Sequence, residues 1–291
     1  MKAVLVIGDL NDKLKRTLNK CVSDKIISHY VNYAMYNEVH RKVNEEMHLV
    51  NAALSNEEFC NMFISTTKFD QEEWIIMKGD IHTKEFLKIL INFEKMFDPL
   101  DKSNVFLSHI VELVNKDKNG PKSFYLTDAA LNVKQIEKEA VLSGIITNAQ
   151  KYIIAKKKGV STVDPKVLTA IILAADNENI PGYNATISII NWDKVIPDRN
   201  NLDIKQFDEC FSAEAWCIKH KDADAMVFTY PDLLVTPDIT VGNAIWKSLT
   251  ILNNWYAKGY VIGGKLNTVL LSRSDSEESY YESIKGACNE D

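Results

Sequence analysis

Short apolar runs alternate with longer amphipathic stretches along this chain. The runs are rich in β-branched residues, which favour strands. They predict nine strands, at Val4–Ile7, Trp74–Met77, Ile110–Val114, Ser123–Leu126, Val167–Leu173, Ala225–Phe228, Leu233–Val235, Tyr260–Ile262 and Thr268–Leu271. Between them, Glu85–Phe97 and Gln135–Lys157 repeat apolar residues with the period of a helix. This alternation predicts an α/β protein with mostly parallel sheets.

The segment after the first strand has a weaker pattern. Residues from Asn11 to about Asn51 predict helices, with Tyr30, Tyr33 and Tyr36 as core contacts.

Composition excludes several classes of protein. Apolar residues make up 46% of the chain and charged residues 25%, as in ordinary globular proteins. The longest mainly apolar stretch, Val167–Ala175, is far shorter than the roughly 18–20 residues that cross a bilayer. The apolar part of Met1–Asp9 is too short for a signal peptide and predicts a strand. A net charge of −6 argues against nucleic-acid binding.

The cysteines and arginines narrow the possibilities further. The five cysteines lack CxxC spacing, so neither a disulfide framework nor a zinc ribbon is predicted, and we expect a cytoplasmic protein. Only four of the 34 basic residues are arginines, at Arg16, Arg41, Arg199 and Arg273. Because a guanidinium binds phosphate through two parallel hydrogen bonds and an ammonium does not, few positions can form such a clamp.

The strand Leu233–Val235 leads through a Pro-Asp turn into Gly242-Asn243, which is predicted to open a helix. The apolar stripe of this helix would comprise Ile245, Leu249, Leu252 and Tyr256, and Gly259 would terminate the helix. Two interpretations of the helix start are open. Its amides, with Lys247 one turn in, would bind an anion. Alternatively, Asn243 is an ordinary N-cap.

The last predicted strand leads into a loop that is rich in hydroxyl groups. Ser274 and Glu277 fit the pattern of a capping box, which would explain the serines structurally. Arg273 lies at the carboxyl end of the strand, where its guanidinium, Ser272 and the helix amides would form a phosphate site. Both interpretations are compatible with the sequence.

Two earlier strands also end in polar residues. Lys78-Gly79 follows one of them, and Thr127 and Asp128 follow another. Because the carboxyl ends of parallel strands meet at one edge of a sheet, these loops predict one crevice. No P-loop or GxGxxG motif is present.

A set of segments keeps its order and spacing from about Trp74 to Ile284. They are Met77–Gly79, Leu107–Ile110, Thr127–Ala129 with Asn132, Phe207–Asp208, Ser212–Ala215, Asp232–Ile239, Gly242–Asn243, Lys247–Leu249, Gly263–Lys265 and Leu271–Ser276. Together these segments resemble the phosphate acetyltransferase and phosphate butyryltransferase family, the phosphotransacylases. The match is closest to the butyryl (branched-chain acyl) side.

The resemblance implies reversible transfer of a butyryl, branched-chain or acetyl group between coenzyme A and inorganic phosphate. Coenzyme A and its acyl thioester would be substrates, with no tightly bound cofactor and no metal. The resemblance also implies two α/β domains with an architecture similar to isocitrate/isopropylmalate dehydrogenase and a cleft between them. Domain one would comprise residues 1–133 and 262–291, and domain two residues 134–261, through which a homodimer would form.

The family pattern also assigns roles to residues. Ser272 matches a serine that stabilises the tetrahedral intermediate, and Arg273 matches an arginine that holds the phosphoryl group. Gly242 and Asn243 would bring backbone amides to the substrate. The other candidate substrate-binding residues are Lys78, Gly79, Lys88, Thr127, Asp128, Asn132, Asp238 and Lys247.

Three positions depart from the family pattern. Ser279 stands where the acetyl branch has its proposed thiol base, so Asp275, which we favour, or Glu278 would replace it. Lys88 stands where a second phosphate-binding arginine is expected, which keeps the charge but loses bidentate geometry. Asp80 adds an acid to a loop that is expected to meet anions, and it would repel phosphate if it faced the cleft.

Two alternatives to the acyltransferase stay open. The departures suggest a diverged paralogue that binds coenzyme A or acyl phosphate without turnover. A metal-dependent decarboxylating dehydrogenase would need aspartates for Mg²⁺ and arginines for an acid substrate, and the sequence offers neither cluster.

Overall fold

The computed structural model describes residues 1–32, 63, 73–97, 106–117, 123–132, 139–158, 167–172, 202–207 and 231–288. The chain divides into two compact units. Unit 1 comprises Met1–Val105 and Gly264–Asp291, and unit 2 comprises Phe106–Gly263. The boundary between Gly263 and Gly264 lies next to the predicted domain boundary at Ile262. The boundary between Val105 and Phe106 lies before the predicted boundary at Val133.

Unit 1 contains four parallel strands and three helices among its described residues. The strands are β1 (Ala3–Ile7), β2 (Tyr30–Asn32), β3 (Trp74–Lys78) and β10 (Asn267–Val269), in the order β2-β1-β3-β10. The helices are α1 (Asp12–Ser23), α2 (Thr83–Phe97) and α5 (Glu277–Cys288).

The strand register brings three loops of unit 1 to one edge of the sheet. Every residue of β1 and β3 is buried, as is typical of parallel strands that are covered on both faces. Ile7 at the end of β1 lies opposite Lys78 at the end of β3, and Val269 of β10 lies opposite Met77. The residues that follow these three strands therefore emerge at the same level.

Unit 2 contains six described strands in the order β9-β4-β5-β8-β6-β7. They are β4 (Ser108–Asn115), β5 (Ser123–Thr127), β6 (Val167–Ile172), β7 (Leu202–Phe207), β8 (Leu233–Val235) and β9 (Trp255–Ile262). β4 pairs antiparallel with β5 and β9, and the other pairs are parallel. The helices are α3 (Glu139–Lys158), α4 (Ile239–Lys247) and a π-helical turn, Ser248–Leu252.

The prediction of a mixed α/β protein with mostly parallel strands is confirmed. Eight of the nine predicted strands coincide with observed strands to within a few residues, and the ninth, Ala225–Phe228, lies outside the described residues. The pattern does not predict β2 or β7. Tyr30 lies in β2 rather than in a helix, because pairing with β1 stabilises this short segment as a strand. None of the described helices is both long enough and apolar enough to cross a bilayer.

The predicted helix from Asn243 to Tyr256 is wrong at both ends. It begins earlier, at Ile239, and ends at Lys247 before the π-helical turn. Tyr256 and Gly259 lie in β9, where Gly259 pairs with Val111 instead of terminating a helix. The pairing of β9 with the whole length of β4 supplies backbone hydrogen bonds that outweigh the helical pattern.

A buried carboxylate holds the segment that leads into β10. Glu94 on α2 is 3% exposed, and it accepts hydrogen bonds from the amides of Lys265 (2.8 Å) and Leu266 (3.1 Å). A Cβ atom on Gly264 would lie 2.1 Å from Glu94 Oε1, so no side chain fits there. Burial raises the pKa of Glu94, although the two amides oppose the shift. Glu94 therefore determines where the chain enters β10.

The raised pKa of Glu94 predicts a pH-dependent contribution to stability. The folded protein holds this proton more tightly than the unfolded chain, so the contribution is complete below the ordinary value of 4.5 and is lost as the pH rises through the raised pKa. We expect the free energy of unfolding of the wild type, relative to that of Glu94→Gln, to decrease from acid to neutral pH. Urea unfolding of both proteins across this range measures the difference, and an increase with pH would contradict the prediction.

Candidate functional site

Two turns interlock at the carboxyl ends of β1 and β3. Gly8 has a φ of +106°, which favours glycine, and a Cβ atom on Gly79 would lie 2.7 Å from Asp9 O. The Asp80 amide donates to Asp9 O at 2.8 Å, and the Asp9 amide donates to Asp80 O at 3.3 Å. Gly79 is therefore needed for the close approach of the two turns, and this approach positions Asp80.

Lys78 provides a buried cation at the end of β3. Lys78 is 6% exposed, and its Nζ donates a hydrogen bond to Gly79 O at 3.2 Å. Burial lowers the pKa of the Lys78 ammonium, the positive charge of Arg273 lowers it further, and Asp80 opposes both effects. Lys78 is therefore coupled electrostatically to Asp80 of its own loop and to Arg273 of the loop after β10.

Arg273 forms an ion pair with Asp80. Its Nε lies 3.0 Å from Asp80 Oδ1, and the two side chains are 57% and 34% exposed. The extra acid of the Lys-Gly loop thus contacts the guanidinium that the sequence assigns to phosphate. Because Nε is one of the donors of the planar fork, the ion pair uses part of the geometry that a phosphate would need.

The loop between β10 and α5 is closed by the buried Asp275. Its Oδ2 accepts a hydrogen bond from the Ser272 amide at 2.7 Å, and its own amide donates to Ser272 O at 2.9 Å. Lys13 of α1 donates to the carbonyl oxygen of Arg273 at 2.7 Å and also to that of Asp275. The Tyr280 hydroxyl donates to Ser272 O at 3.0 Å. These contacts hold the backbone of Ser272 and Arg273.

The Tyr280 hydroxyl is kept protonated by its surroundings. Burial raises its pKa, and the negative charges of Asp275 and Asp80 raise it further. It therefore acts as a donor to the Ser272 carbonyl. The half-buried Ser272 hydroxyl lies 3.2 Å from Ser274 Oγ, so the two hydroxyls form one hydrogen-bonded pair.

The predicted capping box at the start of α5 is wrong by two residues. Ser276, directly before the helix, accepts a hydrogen bond from the Ser279 amide at 3.1 Å, and its Oγ lies 3.1 Å from Ser279 Oγ. Ser274 instead contacts Ser272, and Glu277 pairs with Arg16 of α1. Ser274 cannot cap the helix, because it lies inside the turn that the hydrogen bond between Ser272 and Asp275 closes. Ser276, after this turn, is the residue that caps α5.

In unit 2, Asp128 organises the loop after β5. Asp128 is fully buried, and its Oδ2 accepts hydrogen bonds from the His109 amide (3.0 Å) and from Asn132 Nδ2 (2.6 Å). Its Oδ1 accepts from the amides of Ala130 (3.0 Å) and Leu131 (2.9 Å). Four donors thus surround one carboxylate, and Asp128 holds the loop to β4.

Thr127 and Asn132 strengthen the same attachment. The Thr127 hydroxyl donates to His109 O at 2.8 Å, and its carbonyl accepts from the Thr236 amide at 3.0 Å. Asn132 Nδ2 also donates to Leu107 O at 3.2 Å. The Leu-Ser-His and Thr-Asp motifs of the sequence are therefore two sides of one hydrogen-bond network.

The N-terminus of α4 is capped from within the chain. Asp238 is the N-cap, and its Oδ1 accepts hydrogen bonds from the amides of Thr240 (2.7 Å) and Val241 (3.0 Å). The prediction that Asn243 begins this helix is wrong, since Asn243 lies inside α4 and is exposed. The capping carboxylate uses amides that an anion would otherwise bind.

Gly242 permits the close packing of α4. A Cβ atom there would lie 2.9 Å from Thr236 Oγ1 and 3.0 Å from Asp128 O. The absence of a side chain therefore brings α4 against the loop that Asp128 organises.

The two remaining predicted cations differ in their surroundings. Lys247 is the last residue of α4, not one turn into it, and its Nζ lies 3.8 Å from the centroid of the Trp246 ring. Its charge therefore lies over an aromatic face, and the helical backbone continues beyond it into the π-helical turn. Lys88 lies in the second turn of α2 and is exposed.

The structure brings most of the predicted residues into two clusters. Cluster 1, in unit 1, comprises Lys78, Gly79, Asp80, Ser272, Arg273 and Asp275. Cluster 2, in unit 2, comprises Thr127, Asp128, Asn132, Asp238 and Gly242. Lys13 and His109 are missed as site residues. The Lys13 side chain donates to a carbonyl of a loop far away in sequence, and His109 contributes its backbone amide and carbonyl, which every non-proline residue has.

No group of three or more His, Cys, Asp or Glu side chains suited to a metal ion occurs in the described part of the chain.

Comparison with known proteins shows similarity to two kinds of acyltransferase. The phosphate acetyltransferase of Rickettsia felis is 27% identical over 209 residues, which are 69% of this chain and 54% of the relative. The phosphate butyryltransferase of Clostridium acetobutylicum is 27% identical over 227 residues, 76% of this chain and 68% of the relative. A solved branched-chain phosphotransacylase from Enterococcus faecalis has a TM-score of 0.60 at 22% identity, covering 100% of this chain and 99% of its own. No family model matches the chain.

These similarities confirm the resemblance drawn from the motifs, and the fold is that of solved phosphotransacylases. The equal identities to the acetyl and butyryl relatives do not single out the butyryl side. The chain spans about half the length of the Rickettsia relatives that it matches.

Because Asp128 accepts four hydrogen bonds, we expect that its replacement by asparagine destabilises the protein. Asp128→Asn should lower the free energy of unfolding by about 2–3 kcal/mol, because an amide group places donors against amide donors. Asp238→Asn is the matched control, since asparagine caps a helix as well as aspartate does and should change stability by under about 0.5 kcal/mol. Urea unfolding of both variants measures the effects, and equal losses would contradict the assignment.

Proposed function

We propose that this chain reversibly transfers a short-chain acyl group between coenzyme A and inorganic phosphate. The observation that carries the proposal is cluster 1, where the ends of the neighbouring strands β3 and β10 bring Lys78 close to Arg273, on loops that also carry Ser272. The similarity to phosphate acetyltransferases and phosphate butyryltransferases supports the same activity.

In the proposed reaction, the sulfur of coenzyme A attacks the acyl carbon of an acyl phosphate. The thiol proton passes to a base, a C–S bond forms, and the C–O bond to phosphate breaks as phosphate leaves with the bonding electron pair. The reverse reaction uses phosphate as the nucleophile and releases coenzyme A. Such a reaction needs a base, a donor to the developing oxyanion and positive charge at the phosphate.

Cluster 1 supplies groups that suit two of these needs. The Arg273 side chain is 57% exposed and can be reached by a solute, so we assign its guanidinium to the phosphoryl group. Lys78 adds positive charge from the protein interior. We assign the Ser272 hydroxyl to the tetrahedral intermediate. Its backbone is already held by Asp275 and Tyr280, which reduces the reorganisation that the reaction requires.

We propose Asp275 as the base for the thiol, with Glu278 as the alternative. Asp275 lies on the same loop as Ser272 and Arg273 and contacts the Ser272 amide. Glu278 is exposed in the first turn of α5. Ser279, the position that matches the family base, is buried and hydrogen-bonded to Ser276, and a hydroxyl cannot accept the proton unaided.

In unit 2, we propose that Thr127, Asp128 and Asn132 position the substrate loops rather than touch substrate. Their polar atoms are engaged with backbone and with one another. Asn243 and Lys247 are candidates for direct contact, because Asn243 is exposed and Lys247 is half-buried.

The Asp80–Arg273 ion pair favours one alternative function. A carboxylate on the guanidinium weakens phosphate binding, so the chain could bind coenzyme A or an acyl phosphate without turnover. Calorimetric titration with coenzyme A, combined with an activity assay, separates the two. Binding without turnover supports the alternative.

The resemblance also carries proposals about the whole protein. We propose that it functions as a cytoplasmic homodimer with an isocitrate/isopropylmalate dehydrogenase-like architecture, and that it holds no tightly bound cofactor. Light scattering after size exclusion would report the oligomeric state.

The proposed function predicts turnover of acyl-coenzyme A. Purified protein incubated with phosphate and acetyl-, butyryl- or isobutyryl-coenzyme A should consume the thioester, which absorbs in the ultraviolet. Folded protein that consumes none of these thioesters at high phosphate concentration would contradict the proposal.

The proposed function also predicts a specific effect of replacing Arg273. Arg273→Gln should raise the KM for phosphate by about tenfold or more and change the KM for acyl-coenzyme A by less than about threefold, because the lost hydrogen bonds are made to the phosphoryl group. Arg16→Gln is the matched control, since Arg16 forms an exposed ion pair with Glu277 in the same unit. Equal effects of Arg273→Gln on both KM values would argue against a phosphate role.

A further inference from the structure

The Asp80–Arg273 ion pair points to a device that sets phosphate affinity, an inference that rests on the proposed function. We propose that Asp80 is a built-in competitor for the phosphate subsite. Its carboxylate holds the Arg273 guanidinium when phosphate is absent, and phosphate binds only by displacing it.

The contact geometry supports direct competition. Asp80 Oδ1 lies 3.0 Å from Arg273 Nε, the separation of a charge-assisted hydrogen bond. A carboxylate and a phosphate both present oxygens to the guanidinium fork, so the two anions seek the same donors. Asp80 thus occupies part of the surface that the proposed reaction assigns to the phosphoryl group.

The backbone keeps the competitor in place. Asp80 exchanges two amide hydrogen bonds with Asp9, and Gly79 packs closely against the same turn. The backbone of Asp80 therefore stays in one conformation, and only its side chain has to move for the carboxylate to leave or to rejoin Arg273. Because both side chains are partly exposed, the ion pair is weak enough for a solute anion to replace it.

The charges of the subsite support the same conclusion. Lys78 and Arg273 are the two cations of cluster 1, and the Asp80 carboxylate, which contacts Arg273, offsets part of their charge. Asp80 therefore weakens phosphate binding both by taking a hydrogen-bond donor and by repelling the incoming anion. We infer that this residue keeps the KM for phosphate high and leaves acyl-coenzyme A binding nearly unchanged.

The test is Asp80→Asn, a substitution that preserves side-chain size and removes the charge. The KM for phosphate should fall by about tenfold, and the KM for acyl-coenzyme A should change by less than about twofold. A second readout does not need turnover: inorganic phosphate should protect the variant against thermal unfolding with a half-maximal concentration about tenfold lower than for the wild type, at constant ionic strength.

Asp9→Asn is the matched control. Asp9 is exposed on the turn that pairs with Asp80, so its substitution removes the same charge from the same region without touching the ion pair. It should change the phosphate dependence by less than about twofold. An effect as large as that of Asp80→Asn would show that the net charge of this region, rather than the ion pair, determines phosphate affinity. That result would overturn the proposal.

The combination with Arg273→Gln provides a stricter test. If Asp80 acts by occupying the guanidinium, Asp80→Asn should have little effect on phosphate affinity once Arg273 is replaced. A full tenfold gain in the absence of Arg273 would overturn the proposal.

The outcomes distinguish this inference from the proposed function. Turnover with an unchanged KM for phosphate in Asp80→Asn would overturn the inference and leave the acyltransferase assignment intact. Tighter phosphate binding by Asp80→Asn, without turnover of any acyl-coenzyme A, would support the inference and count against the acyltransferase assignment. Absence of phosphate binding by both the wild type and Asp80→Asn would overturn the inference.

Discussion

The parallel register of β1, β3 and β10 is the constraint on which cluster 1 depends. It places the residues after Ile7, Lys78 and Val269 at one edge of the sheet, although they are far apart in the chain. Parallel strands all point the same way, so each contributes its carboxyl end to the same edge. The interlocked turns at Gly8 and Gly79 then leave no room for a different loop path.

Cluster 1 balances its charges within a small space. The buried Lys78 ammonium is disfavoured by desolvation and by Arg273, and Asp80 partly relieves both effects. In the proposed phosphate site, an acid that pairs with the arginine would stabilise the empty site at the expense of ligand affinity. The scarcity of arginines sharpens this point, because the proposed phosphate role falls on Arg273, whose guanidinium already has a carboxylate partner.

Cluster 2 shows that motif residues can owe their identity to the fold. Asp128 accepts four hydrogen bonds, Asp238 caps α4, and Gly242 allows α4 to pack against the Asp128 loop. Asp128 and Gly242 are required by local contacts, since a carboxylate can accept all four hydrogen bonds through its two oxygens and only glycine tolerates so close an approach. These contacts shape the loops in which the resemblance to the phosphotransacylases is concentrated.

The sequence by itself determined the α/β class, eight of the described strands and the loops that carry the polar residues, because apolar periodicity and turn residues are local signals. It did not determine the start of α4 or the strand conformation of Tyr256 and Gly259, because capping by Asp238 and pairing of β9 with β4 involve other segments. It identified Asp80 as an unexpected acid without revealing its partner. Only the tertiary structure brought Asp80 to Arg273 and Lys13 to the same loop, since strand register, not sequence distance, decides which side chains meet.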